Sequence, residues 1–143
     1  MVRLSSEPAA SAADVAKISE TIDAWNMETT GDRDYRAVAI FLRDDDDAIR
    51  GGITGGVWGG WLHIVALWVD PPLRGLGHGR ALVLAAEAEG LAAGARHAFL
   101  ETHDFQAPDL YRGLGYVPFG EIEDYPMGHS QLFLRKNLAA SGG

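Results

Sequence analysis

Residues 61–82 read WLHIVALWVDPPLRGLGHGRAL, and no other passage restricts the folds open to this chain so tightly. An almost unbroken apolar run stops at Asp70-Pro71-Pro72, because proline cannot donate to a strand ladder. Near-continuous apolar character predicts a strand over 61–70 that is buried on both faces. Beyond the prolines, glycines lead into residues 81–93, dense in Ala and Leu, with Gly94 placed as a helix C-cap. A helix N-terminus presents unpaired N–H groups and partial positive charge, which together attract an anion. Glycines let the backbone close around such a group, and arginines add full charge. Arg74-Gly75-Leu76-Gly77-His78-Gly79 therefore reads as a diphosphate cradle. The bland alternative is a glycine connector that serves only tight packing.

The flanking sequence sets the strand and helix order. Ser11-Ala12-Ala13-Asp14 has the form of a capping box, followed by Val15, Ile18, Ile22 and Trp25 at helical spacing. This predicts an amphipathic helix over about 13–28, packed by its apolar stripe and ended by Thr29-Thr30-Gly31-Asp32. Strands are expected at 35–43, 51–58, 61–70, 96–102, 116–119 and 131–135, with a short helix over 107–114. The four acids Asp44 to Asp47 read as a solvated hairpin tip rather than a metal site, since consecutive acids on a turn cannot all face one ion. Three strands precede the central helix and a strand–helix–strand unit crosses the middle. That pattern defines an α/β class, a mixed sheet with helices on its faces. A length of 143 residues predicts one domain, with a core over about 13–138.

Composition removes several functions. There is no cysteine, so disulfides, thiolate metal sites and a cysteine nucleophile are excluded. The five histidines show no metal-ligand spacing, and no metal is expected. A formal net charge of −8 disfavours a nucleic-acid partner; it suits a cationic one, although charge alone reads first as simple solubility. No apolar segment is long enough for a membrane span, and the first residues lack a signal-peptide core, so a cytoplasmic location is expected.

The cradle fits neither common nucleotide motif. A GxGxxG fingerprint starting at Gly75 or Gly77 meets Arg80 or Leu82 where its third glycine belongs. A Walker loop needs Gly-Lys-Ser/Thr, which the chain lacks. The run VDPPLRGLGHGRAL instead resembles the acyl-CoA diphosphate motif of the GNAT superfamily of N-acyltransferases. FQAPDLYRGLGYVPFG, residues 105–120, resembles the second half of that family's cofactor site. GGITGGVWGGWLHIVALWVD and DYPMGHSQLFLRKNL are similar to a bacterial branch of small single-domain members. The likeness covers about residues 35–138 and is weakest at the N-terminus, where one helix stands in place of the family's frequent two.

This resemblance implies the GNAT fold: a mixed, mostly antiparallel sheet splayed in a V, with helices on both faces. It implies acetyl transfer from acetyl-CoA to a primary amine by direct attack in a ternary complex. The alternative from another class is a non-catalytic acyl-CoA sensor or regulatory protein. On the resemblance, the backbone of Leu67, Trp68 and Val69 would bond the pantetheine arm, and an N–H near Val69 would face the thioester oxygen. Tyr111 stands where the family places the residue that protonates the departing thiolate, and Gln106 is a further cofactor contact. Asp104 replaces an asparagine that touches the cofactor in many members, and an acid belongs there only if it faces away. A lysine-like amine must lose a proton before attack, so a base is required. His63, Glu101, His103, Asp104 and His129 are candidates, with Glu101 first. Glu121, Glu123 and Asp124 would make the acceptor side acidic, which suits a cationic small-molecule or peptide amine. A homodimer is also consistent with the family.

Overall fold

A computed structural model describes residues 1–141. The chain divides into two compact units, Met1–Arg33 and Asp34–Gly143. The first is built around α1 (Ala12–Thr30). Ser11 caps it, its Oγ accepting the Asp14 N–H at 3.1 Å. Gly31, at φ 76°, closes the far end by donating its N–H to the Met27 carbonyl. Within this unit none of the residues of α1 is buried, the Val15–Ile18–Ile22–Trp25 stripe included. A single helix holds no apolar surface of its own unit to pack against.

The second unit is a six-stranded sheet in the order β1-β2-β3-β4-β6-β5. Its strands are β1 (Arg36–Arg43), β2 (Ile49–Trp58), β3 (Trp61–Val69), β4 (His97–His103), β5 (Val117–Ile122) and β6 (Gln131–Asn137). All neighbours are antiparallel except β3 and β4, which a crossover through α2 (His78–Ala92) makes parallel. The remaining helices are α3 (Pro108–Gly113) and α4 (Leu138–Ser141), the latter absent from the sequence-based expectation. Leu62, Ile64, Val83, Ala86, Ala98, Leu100 and Leu134 form the centre of the core, where α2 lies against the sheet. The strand alternation that supplies these residues is plain in β4, where Ala98, Leu100 and Thr102 are buried and their neighbours half-buried.

One expectation fails in β3. Val65 and Trp68 are 62% and 56% exposed, so the strand is covered on one face rather than two. Its apolar run reflects neighbours that change along its length. Trp61–Ile64 is flanked by strands on both edges, whereas residues 65–69 keep β2 alone. At Val65 the register with β2 slips between Thr54 and Gly55, a bulge that leaves Val65 unpaired. Gly55 permits this close approach, because a Cβ there would overlap the His63 carbonyl.

Candidate active site

The sheet opens where β3 and β4 have different loyalties. Their parallel pairing runs only from Trp61↔His97 to Ile64↔Leu100. Beyond it, β3 stays with β2 as far as Gly51↔Val69, and β4 stays with β6 as far as His103↔Gln131. Each strand follows its remaining partner, and the sheet splits. The gap is a cavity of about 820 Å³ between the two strand edges, the α2 N-terminus and α3.

One wall is the unpaired edge of β3. Asp70 donates its N–H to the Arg50 carbonyl of β2 at 2.8 Å, so strand alternation turns the N–H groups of Val69 and Leu67 to the opposite edge, facing the gap. The Val69 carbonyl already accepts from Arg74 Nε at 2.8 Å. The floor is the glycine-rich turn. Gly75 and Gly77 adopt φ 77° and 89°, conformations that strain any residue with a Cβ. They let α2 begin at His78, earlier than the expected residue 81. Its first helical bond is Ala81 N–H to Gly77 O at 3.0 Å, which leaves the N–H groups of residues 78–80 without helical partners. Gly79 admits α3, since a Cβ there would stand 3.3 Å from Leu110 Cδ2. Arg74 lies over the Trp68 ring, 4.6 Å from its centroid.

Tyr111 closes the third wall. It is 6% exposed, and burial pushes its phenol up to about 12. Its carbonyl accepts the Tyr116 N–H at 3.0 Å, and the two rings meet edge to face at 5.8 Å. Tyr116 in turn donates its hydroxyl to Glu87 Oε2 at 2.9 Å, and burial, aided by that carboxylate, raises its phenol too. Lys136 donates to Glu87 Oε1 at 2.7 Å. This trio, with Tyr116 and Glu87 buried and Lys136 partly so, joins α2, the residue before β5, and β6 behind Tyr111.

Among the base candidates, Glu101 lines the cavity at the first position of β4 past the parallel pairing. It lies 3.0 Å from His63 Nε2, whose ring stacks on Phe99 with centroids 4.3 Å apart. The other three candidates gather elsewhere. Asp104 accepts from His129 Nδ1 at 2.9 Å and from the Ser130 N–H at 3.0 Å, tying the β4–α3 turn to the β5–β6 connection. Desolvation works against its charge, but these hydrogen bonds win and hold its carboxyl below the ordinary value. It thus faces away from the cavity, whose lining excludes it. His103 stacks with Phe105 and with Tyr125.

Leu67, Trp68, Val69, Arg74, Gly75, Gly77, His78, Gly79, Glu101, Gln106 and Tyr111 all line the one cavity. Leu76 does not; it is 67% exposed. Gln106 spends its amide oxygen on the His103 N–H at 2.7 Å and the Thr102 hydroxyl at 3.2 Å, so only its NH₂ remains for a ligand. Sequence reasoning missed Phe105, Leu110 and Arg80 as cavity walls. Arg80 could have been found, one residue past the last cradle glycine.

With this geometry in place, comparison with known proteins is direct. Residues 8–116 match the model of the acetyltransferase (GNAT) family. Over 121 residues the chain is 30% identical to an acetyltransferase of Agrobacterium fabrum, covering 85% of this chain and 88% of that protein. Over 112 residues it is 38% identical to the blasticidin-S acetyltransferase of Streptomyces morookaense, covering 74% and 79%. A crystal structure of a Bacillus cereus acetyltransferase superposes with a TM-score of 0.79 at 30% identity, covering 93% of this chain and 97% of that one. The chain belongs to the GNAT acetyltransferase family, and both its fold and its enzymatic class follow. The sensor alternative gives way to an acetyltransferase.

Proposed function

We propose that the protein moves an acetyl group from acetyl-CoA to the primary amine of a small cationic molecule, by direct attack in a ternary complex. One observation carries the reading: the unpaired β3 edge, the open N–H groups of α2 and the Tyr111 wall all border the same cavity. The diphosphate would sit on the N–H groups of residues 78–80, with Arg74 beside it. The pantetheine arm would add to β3 as an extra strand, using the N–H groups of Leu67 and Val69.

The acceptor approaches as an ammonium ion. Glu101, paired with His63, accepts one proton, directly or through a water, and frees the lone pair. Nitrogen attacks the thioester carbon, and the Val69 N–H stabilises the oxyanion. Collapse breaks the C–S bond, and the second amine proton balances the departing thiolate. Tyr111 acts here as a hydrogen-bond donor more than as the acid itself. With its phenol near 12 and an ordinary thiol near 8.5, full transfer is uphill by roughly 5 kcal/mol. The acidic end of β5 and the connection after it, with Glu121, Glu123 and Asp124, suit a cationic acceptor, and a relative named for acetylating blasticidin S supports a small molecule over a peptide.

The test is thiol release from acetyl-CoA against a panel of small cationic amines and basic peptides. Tyr111→Phe should lower kcat roughly 100-fold or more while CoA affinity holds. Turnover with peptides alone, or unchanged kcat in Tyr111→Phe, refutes the respective part.

A further inference from the structure

The acid run Asp44–Asp47 and the surface around Asp70 have no part in the mechanism above, yet they meet the cradle. Asp44 Oδ1 accepts the N–H groups of Asp46 and Ala48, at 2.9 and 3.0 Å, which folds the run into its turn. Its other oxygen lies 3.5 Å from Arg50 Nη1. Arg50 Nε in turn donates to Asp70 Oδ2 at 2.7 Å. Asp70 Oδ1 accepts the Trp68 indole N–H at 2.9 Å, and the face of that indole carries Arg74. Asp70 and Arg74 therefore flank one ring, joined by the short Pro71–Leu73 turn.

This places a carboxylate beside a site that must hold a diphosphate. A bare acid there harms the site in two ways: it repels the anion, and it offers Arg74 a nearer partner. Among the described residues Asp70 is paired with Arg50 and makes no ion pair with Arg74, although it feels the Arg74 charge. The Asp70 carboxyl is held below its ordinary value first by the Arg50 hydrogen bond and then by Trp68. Arg50 is raised in return, chiefly by Asp70.

We propose that Arg50 is a positioning residue for cofactor binding: by occupying Asp70, with Asp44 orienting it, it keeps Arg74 on the Trp68 ring and available to the diphosphate. The inference rests on the reading that the cradle binds CoA, and adds to it residues that never touch the ligand. The Asp70 carboxylate fixes the indole under Arg74, and Arg50 is what makes that carboxylate harmless.

The experiment is titration calorimetry of CoA into the full-length chain and the variants Arg50→Met, Asp70→Asn and Arg50→Met/Asp70→Asn, with acetyl-CoA kinetics on each. Arg50→Met should weaken CoA roughly tenfold, the scale of one lost charge-assisted contact, and raise KM for acetyl-CoA with kcat held. Asp70→Asn keeps an oxygen for the indole and should bind within about threefold of wild type. The double variant should return to that level, because removing the acid removes the need for its guard. A purely scaffolding Arg50 would give no such rescue. Wild-type affinity in Arg50→Met, or a double variant as weak as Arg50→Met, overturns the inference while CoA binding itself stands. Absence of CoA binding by the wild-type chain overturns the cofactor reading, and this inference with it.

Discussion

Removing Lys136 alone should damage this protein far more than removing Lys136 and Glu87 together. Their side chains are 9% and 8% exposed, and Lys136 Nζ lies 2.7 Å from Glu87 Oε1. Both charges have left water, at a cost of several kcal/mol each, and their mutual attraction offsets that cost only while both are present. In Lys136→Met the Glu87 carboxylate stays buried with the Tyr116 hydroxyl as its remaining partner. Breaking one half of such a pair costs about 3–5 kcal/mol. For a chain of this length that corresponds to a fall in Tm of roughly 10–15 °C. In Glu87→Met/Lys136→Met no charge is stranded, and a methionine pair of similar volume should bring stability back to within about 1 kcal/mol of wild type or above it. Urea unfolding followed by tryptophan fluorescence measures all three proteins. A Lys136→Met loss below about 1 kcal/mol, or a double variant no better than the single one, would refute the argument.

Two further outcomes follow from the cradle and the acid run. Gly77→Ala places a Cβ on a residue at φ 89° and should cost about 1–2 kcal/mol of stability while weakening CoA binding, both read by calorimetry. Asp44 and Asp70 are held below 3.8, the first mainly by the Ala48 N–H and the second by Arg50; depressed carboxyls contribute stability that is fully present above the ordinary value and lost as pH falls from there through the lowered folded-state value. Unfolding should therefore become easier below about pH 4, and Asp44→Asn/Asp70→Asn should flatten that acid limb.

The division between sequence and structure runs along sequence separation. Ser11 and Gly31 announce the ends of α1, and the glycines at 75 and 77 announce the start of α2, because capping and left-handed turns depend on residues a few positions apart. The same locality made the glycine-rich turn after β3 legible before any strand was paired. Burial was less legible: the apolar run of β3 suggested two covered faces, yet Trp68 looks outward beneath Arg74.

By itself, then, the chain's sequence carried every helix and strand except α4, the glycine-rich turn after β3 and, by resemblance, the family. Only the folded sheet decided that β6 lies between β4 and β5, that β3 and β4 part after Ile64 and Leu100, and that Glu101 meets His63 across 38 positions. Likewise Lys136 reaches Glu87 across 49 positions, and Arg50 reaches Asp70 across 20. A lone charge in a sequence carries no mark of its partner, because pairing is set by which strands lie side by side and by how much water they exclude.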